Sequence, residues 1–94
     1  MYTRRTTFPM KPNNEDQVAA IANKYQNLLH DLPGHVGTVM FVDGDNFMSI
    51  TTWDTQEHAE AVGATRDDAQ RDLADLLAGA PSTTIVETVV HDVG

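Results

Sequence analysis

The pattern of apolar and polar positions predicts four strands and two helical regions. Residues 36–42 and 47–53 are rich in β-branched and aromatic side chains, and they flank the polar run 43–46, Asp-Gly-Asp-Asn. This arrangement predicts a β-hairpin, because Gly, Asn and Asp tolerate the positive φ of tight turns. A helical pattern lies on each side of the hairpin, and a strand-like run lies at each end of the chain. The predicted order is therefore β-α-β-β-α-β.

The first half of the chain predicts a strand and a long helix. Residues 2–8 favour a strand that ends at the following proline. Asn14 is a predicted N-cap, and Gln17 three residues later completes a capping-box pattern. Pro33-Gly34 ends the helix. One buried stripe is expected from the apolar residues at helical spacing, which are Val18, Ile21, Ala22, Tyr25, Leu28, Leu29 and Leu32.

The second half predicts an interrupted helix and a last strand. Asp54 is the predicted N-cap of a helical region over residues 55–79. We expect a break near residues 63–65, where Thr65 caps a second segment. Residues 82–92 predict the last strand. The second helical segment has a stripe made of Ala69, Leu73, Leu76 and Leu77.

These elements predict one domain over residues 1–94 with an α+β, ferredoxin-like fold and a four-stranded antiparallel sheet. Right-handed crossovers place both helical layers on the same face of such a sheet. The other face is then expected to alternate with polar residues. Apolar residues instead occur on both faces: Val36, Met40 and Val42 against Val39 and Phe41, and Ile85 and Val89 against Val86 and Val90.

The uncovered apolar face predicts a homodimer formed by sheet-to-sheet packing. Monomers seldom expose an apolar patch of several hundred Å², and a twofold pairing of two copies removes such a patch from water. The alternative is a monomer whose second face is made sufficiently polar by Thr38, Ser49, Thr51 and Thr88.

Composition limits the partners and the compartment. The chain has 14 acidic and 6 basic residues, a formal net charge of -8 at pH 7. Such a surface repels phosphate backbones and anionic lipids, so neither nucleic acid nor a membrane is an expected partner. The absence of cysteine excludes disulfides and thiol catalysis. No signal-peptide pattern and no long apolar run is present, so we expect a cytoplasmic protein.

Three segments together resemble the antibiotic biosynthesis monooxygenase family of dimeric α/β-barrel proteins. They are residues 3–9 (Thr-Arg-Arg-Thr-Thr-Phe-Pro), 33–37 (Pro-Gly-His-Val-Gly) and 53–57 (Trp-Asp-Thr-Gln-Glu). The resemblance covers essentially the whole chain. It implies a ferredoxin-like fold that pairs into a barrel in the dimer, with a pocket between sheet and helices in each subunit.

The resemblance also implies a range of activities. Members of that family include cofactor-independent oxygenases of polycyclic phenols, haem-degrading enzymes and small autoinducer-handling proteins. Haem-degrading members carry an Asn on the first strand and a Trp and a His on the second helical region. Here the first strand carries Arg4, Arg5 and threonines, no Trp follows Trp53, and His58 lies too early. We therefore expect no haem degradation and no cofactor.

Four residues are candidate contacts of a ligand in the expected pocket. Arg4, Tyr25 and Trp53 are predicted to contact a small aromatic substrate, and His58, one turn past Trp53, is predicted to act as a base on an acidic phenol. The alternative for both aromatic residues is packing in the core. No two histidines have the i, i+4 spacing of a helical metal site, so we expect no metal.

Arg4 and Arg5 are neighbours on a strand and therefore face opposite sides of the sheet. One of them is expected to point into the helix–sheet layer or the dimer interface, where a guanidinium has to be paired or lie beside an anion. The alternatives are a salt bridge to Glu87, Asp92 or a helix acid, and a contact with substrate.

Two functions follow from these observations. The first is a cofactor-independent monooxygenase, or a related small-molecule enzyme, that uses the helix–sheet pocket. The second is a non-catalytic dimeric module that binds a small molecule. Fold resemblance alone does not decide between them.

Overall fold

The protein, described here by a computed structural model over residues 1–91, has the element order predicted from its sequence. Strand β1 is followed by helix α1, the hairpin strands β2 and β3, two helices α2 and α3, and strand β4. Their bounds are β1 Tyr2–Pro9, α1 Glu15–His30, β2 His35–Asp43, β3 Asn46–Trp53, α2 Gln56–Glu60, α3 Gly63–Asp72 and β4 Ser82–Glu87, with a 3-10 turn at Ala74–Leu76. The β-α-β-β-α-β order and the ferredoxin-like fold class are therefore confirmed.

The four strands form one antiparallel sheet in the order β2-β3-β1-β4. The predicted hairpin joins β2 to β3, and Asp43 pairs with Asn46 across its turn. Gly44 has a φ of +60° there, a conformation that glycine adopts without steric cost. Strands β1 and β3 are central, so their side chains occupy the middle of both faces of the sheet.

The helices cover one face of the sheet through two apolar clusters. On β1 the side chains of Arg4, Thr6 and Phe8 are buried, whereas Arg5 between them is exposed. The covered face is thus the one that carries the even-numbered residues of β1. One cluster consists of Phe8, Met10, Val18, Phe47 and Leu73, and the other of Leu29, Trp53, Ala59 and Val62.

The opposite face of the sheet, here called the open face, carries five apolar side chains that no helix covers. The register places Val39 beside Ile50, Phe41 beside Met48, and Val86 beside Thr3 of the adjacent β1. Val39 is 60% exposed and Val86 is 56% exposed. The expectation that the helices hide only one set of apolar strand residues is correct. The open face consists of Val39, Phe41, Met48, Ile50 and Val86.

The last strand is shorter than predicted. It ends at Glu87, which pairs with Tyr2 at the start of β1, and the final backbone contact runs from Thr88 N–H to the carbonyl of Met1. Residues 89–91 belong to no strand. Val89 and Val90 therefore lie outside the sheet and are strongly exposed. Asp92, included in the prediction, lies outside the described residues.

The predicted helix boundaries need three corrections. Asn14 precedes α1 but does not cap it: with a ψ of 24° it leaves the extended region typical of caps, and its side chain donates to the carbonyls of Lys11 and Pro12. Thr55, not Asp54, caps α2 by accepting a hydrogen bond from His58 N–H. The helical break lies at residues 61–62, so Thr65 is inside α3 and caps nothing.

No helix within residues 1–91 is both long enough and apolar enough to cross a membrane.

Leu73 provides a direct test of the covered core. Its side chain is 1% exposed, whereas Leu28 on α1 is 48% exposed. We expect Leu73→Ala to lower the free energy of unfolding by about 2–5 kcal/mol, because it leaves a cavity as well as removing buried surface. Leu28→Ala should cost no more than about 0.5–1 kcal/mol. Urea denaturation measures both. Equal losses in the two variants would contradict this assignment of the core.

Candidate functional site

A cavity lies between the covered face of the sheet and the helices α1 and α3. Most of its wall is apolar, and its polar side chains come from the two central strands and from both helices. The space open to the centre of a water-sized sphere is about 40 Å³, enough for about three waters. That is well below the roughly 300 Å³ of pockets that enclose drug-sized ligands. The polar lining residues are Arg4, Thr6, Tyr25, Ser49, Thr51, Thr65 and Arg66.

Arg4 places a guanidinium in this cavity from the floor of the sheet. It is only 7% exposed, and its Nη1 donates to the carbonyl of Ala59 at 3.1 Å. Its Nε–H is buried and has no acceptor among the described residues. Burial lowers the pKa of Arg4, the positive charge of Arg66 lowers it further, and Asp67 partly offsets both.

Arg4, rather than Arg5, therefore faces the helix–sheet layer, which the sequence left open. The predicted salt bridge is not formed within residues 1–91, where the acceptor of Arg4 is a main-chain carbonyl. Arg4 pairs across the sheet with Ile85, two positions from Glu87, and Glu87 itself is exposed. Asp92 lies outside the described residues. A salt bridge to Asp92 and a contact with a ligand therefore both stay predictions.

Arg66 on α3 contributes a second guanidinium, which the sequence analysis did not identify. Its Nη1 donates to Gln70 Oε1 at 2.8 Å, and its Nη2 lies 3.3 Å from Asp67 Oδ1. The Nε–H of Arg66 is also buried without an acceptor among the described residues. The available signal was helical spacing, because Arg66 lies three and seven positions before Ala69 and Leu73 of the apolar stripe.

The two unpaired Nε–H groups are energetically unusual. A buried donor without an acceptor costs about 1–3 kcal/mol, and more when the group is charged. Here two such donors belong to residues that line one small cavity. Among the described residues, no aspartate or glutamate lines the cavity, so this part of the chain forms a positively charged site within an acidic protein.

Tyr25 lines the same cavity from α1 and is 6% exposed. Its hydroxyl donates to Asp72 Oδ2 at 2.7 Å, and Lys24 Nζ lies 2.9 Å from the same oxygen. Burial, followed by the hydrogen bond to Asp72 and its negative charge, raises the pKa of Tyr25. Tyr25 therefore stays a neutral phenol that ties α1 to the end of α3, with its ring on the cavity wall.

Trp53 lies behind the cavity wall. It is fully buried, its Nε1 donates to Thr51 Oγ1 at 2.8 Å, and it packs in the cluster that contains Ala59. Trp53 thus supports two residues next to the site, Thr51 in the lining and Ala59 as the acceptor of Arg4. It is not among the residues that line the cavity, and a direct contact of Trp53 with a ligand stays a prediction.

His58 lies at the surface beside the turn that precedes β2. Its Nδ1 is 2.6 Å from Asp54 Oδ1, and this hydrogen bond is the main cause of the lowered pKa of Asp54. A β-carbon on Gly34, which has a φ of +81°, would lie 2.3 Å from both of these atoms. The structure thus brings Arg4 and Tyr25 together at one cavity and places His58 elsewhere, so its role as a base stays a prediction.

Within residues 1–91, no group of three or more histidine, aspartate or glutamate side chains has the arrangement of a metal site.

His35 packs against Trp53 and generates a prediction for pH. Its ring lies edge-on to the rings of Trp53 at 5.3 Å and His30 at 5.5 Å, and its Nε2 is 2.6 Å from Thr38 Oγ1. Burial lowers the pKa of His35, and the nearby His30 lowers it further. The unfolded chain therefore binds a proton at this position more readily than the folded protein does.

Stability from this effect is complete above about pH 6.5 and is lost as the pH falls through the lower pKa of the folded state. We expect the melting temperature to fall between about pH 7 and pH 5, and to fall less in His35→Gln. The lowered pKa values of Asp54 and Asp72 act only below about pH 4, outside this window. Thermal unfolding monitored by circular dichroism measures both slopes. Identical slopes would show that His35 does not contribute.

Comparison with known proteins shows the fold. No family model matches the sequence, and no curated protein matches it. A candidate antibiotic biosynthesis monooxygenase from Nitrosomonas europaea superposes with a TM-score of 0.82 at 15% identity, over 96% of this chain and 100% of that one. SnoaB, a cofactor-independent oxygenase from Streptomyces nogalater solved as a variant, gives 0.76 at 10% identity over 96% and 94%. An anthrone oxidase-like protein gives 0.71 at 23% identity over 89% of this chain and 42% of that one.

These identities are too low to carry an activity across, but the match in backbone extends over nearly the whole chain. The resemblance noted in the sequence is thereby confirmed in the fold: this chain has the ferredoxin-like fold of structures named antibiotic biosynthesis monooxygenases.

Proposed function

We propose that this protein binds a small aromatic or phenolic molecule in the helix–sheet cavity and oxidises it as a cofactor-independent monooxygenase. The observation that carries the proposal is the buried guanidinium of Arg4, whose Nε–H has no acceptor within residues 1–91, in an otherwise mostly apolar cavity. A planar apolar molecule with one acidic group fits both parts of that environment. The fold shared with SnoaB, described as a cofactor-independent oxygenase, supports the same reaction class.

In the proposed reaction the substrate itself supplies the electrons. An acidic CH₂ group conjugated with a phenolic ring loses a proton to solvent, and the resulting anion forms a C–O bond with O₂. The peroxide takes up a proton and then loses water, which leaves a C=O group. One oxygen atom enters the product and the other leaves as water, so no external reductant is required.

The protein's contribution is to bind, orient and stabilise the anion. Arg4 is fixed by its bond to Ala59 and stabilises negative charge on the substrate oxygen without reorganising. The apolar wall holds the ring and excludes water from the peroxide. His58 does not line the cavity, so in this proposal the guanidinium lowers the substrate pKa and the proton leaves without a protein base. The cavity must also widen on binding, because its volume of about 40 Å³ is well below that of pockets that enclose drug-sized ligands.

A second candidate is a non-catalytic dimeric module that binds the same class of molecule. The observation in its favour is that, within residues 1–91, neither a histidine nor a carboxylate lines the cavity. The hydroxyl of Tyr25 is already held by Asp72. A site of this composition binds an anion without a built-in proton acceptor.

Oxygen consumption distinguishes the two candidates. We expect O₂ uptake and a product heavier by a net 14 mass units with an anthrone-type substrate in the presence of a chelator, as the conversion of CH₂ to C=O requires. Arg4→Met should lower kcat by about 10²-fold, the effect of removing one oxyanion donor. Arg71→Met is the matched control, because Arg71 is 75% exposed on α3 and pairs with Asp68.

Each outcome of that experiment decides something. Turnover that depends on Arg4 supports the oxygenase, and a ligand-induced thermal shift without turnover supports the binding module. Neither turnover nor a shift across a panel of anthrones, naphthols and quinols would overturn the proposed function. Circular dichroism and the melting temperature show whether Arg4→Met is folded.

We also propose that two copies pair through the open face. Val39, Phe41 and Val86 are each at least 41% exposed there, and packing two such faces together removes them from water. The isologous geometry of a twofold axis allows the same patch to serve both copies. The homodimer predicted from the sequence therefore stays a proposal, supported by the exposed apolar residues of the open face.

A matched pair on β2 tests the dimer. Val39 and Val42 are both 60% exposed, but Val39 is on the open face and Val42 is on the helix side, opposite Phe47. We expect Val39→Asp to shift the wild-type dimer to a monomer in sedimentation velocity at micromolar concentration. Val42→Asp should leave the dimer intact. A monomeric wild-type protein, or equal effects of the two substitutions, would contradict this interface.

A further inference from the structure

We infer that Arg4 and Arg66 form a clamp for one anionic oxygen group, a carboxylate or an ionised phenol, and that the cavity selects aromatic ligands by this negative charge. The inference rests on the proposed function, since it concerns the same cavity. It adds the second guanidinium and the charge of the ligand, neither of which follows from the fold.

The position of the two residues is the first argument. Arg4 belongs to the central strand β1 and Arg66 to α3, so the cavity has one guanidinium on its sheet side and one on its helix side. The whole chain has four arginines and two lysines among 94 residues with a net charge of -8. Two of those four arginines meet at one cavity. This placement concentrates positive charge in one cavity of a protein whose net charge is negative.

The second argument is the pattern of hydrogen bonds around each guanidinium. Both residues use Nη atoms for protein contacts: Arg4 bonds to the Ala59 carbonyl, and Arg66 bonds to Gln70 and Asp67. Both leave the buried Nε–H unpaired within residues 1–91. The protein contacts therefore hold the two groups and leave the buried Nε–H of each unused among the described residues. An oxyanion has enough lone pairs to accept from both donors.

The third argument is electrostatic. The positive charge of Arg66 disfavours the charged form of Arg4, so the two groups repel each other across the cavity. The negative charge of Asp67 offsets this repulsion only in part, because the Asp67 side chain that pairs with Arg66 is 63% exposed to solvent. A monoanion between the guanidinium groups changes repulsion into two attractions. A neutral ligand of the same shape leaves the repulsion in place.

The rest of the lining sets the class of ligand. Phe8, Ile21, Phe47 and Leu73 surround the polar centre with apolar surface, which suits an aromatic ring and not a highly charged phosphate ester. One negative charge also balances the site more closely than two, because Asp67 already contributes a partial counter-charge. The expected ligand is a small aromatic monoanion.

Isosteric probes test this inference by isothermal titration calorimetry at low salt. Benzoate and benzamide have nearly the same shape but differ in charge, and 4-nitrophenol is measured above and below its pKa. We expect wild-type protein to bind each anion about tenfold or more tightly than its neutral counterpart. Arg66→Gln and Arg4→Gln should each reduce that preference to about threefold or less. The matched control is Arg71→Gln on the exposed side of α3, which should keep the full preference.

The outcomes separate this inference from the proposed function. Benzamide bound as tightly as benzoate, or a charge preference that survives in both arginine variants, overturns the clamp and leaves the oxygenase untouched. Charge-selective binding of benzoate with no turnover of any phenol keeps the clamp and overturns the oxygenase. No binding of any probe overturns the clamp. Amide shifts of β1 and α3 in two-dimensional NMR spectra show that binding is at this cavity and that the variants are folded.

Discussion

The structure depends on one geometric constraint: a four-stranded sheet has two faces, and the helices of this chain cover only one of them. Alternation along β1 sends Arg4 to the covered face and Arg5 to the open face, although the two are neighbours in sequence. The covered face holds the core and the cavity. The open face keeps its apolar residues in water until something else packs against it. The proposed ligand site and the proposed dimer interface therefore lie on opposite sides of the same strands.

The cavity exists because the middle of the covered face is underfilled. Phe8 and Phe47 fill one end of the two central strands, and Trp53 fills the other end. Between them three of the four inward positions hold small side chains, Thr6, Ser49 and Thr51, and the fourth holds Arg4. A helix layer that rests on large residues at both ends leaves space over the small ones. The same small residues leave room for the guanidinium of Arg4.

Much of this architecture is readable from the sequence, and the failures have physical causes. Period-two and helical patterns predicted the element order, and alternation required that Arg4 and Arg5 face opposite sides. The end of β4 could not be predicted from its own residues, because β4 pairs with β1 only as far as Tyr2, the first residue of β1. Arg66 was missed because the stripe of that segment was traced through its apolar residues only, and a charged residue in the same helical phase was not added to it. The separation of His58 from the cavity depends on how the Gly34 turn packs beneath it, a tertiary contact.

The charge of the cavity, rather than the fold, is the basis of the proposed function. Backbone similarity at 10–15% identity does not determine which side chains line a pocket, so function has to be argued from the site. The buried guanidinium of Arg4 and the partly exposed guanidinium of Arg66 each have a buried Nε–H without an acceptor among the described residues, and such donors are costly in the free protein. A ligand that accepts hydrogen bonds from these donors removes that free-energy cost, so it binds more tightly than a ligand that does not. Its binding then stabilises the bound protein over the free protein. The same positive charge lowers the pKa of a bound phenol. In the proposed function, selection of an anion and activation of that anion toward oxygen are thus two consequences of one arrangement of charge.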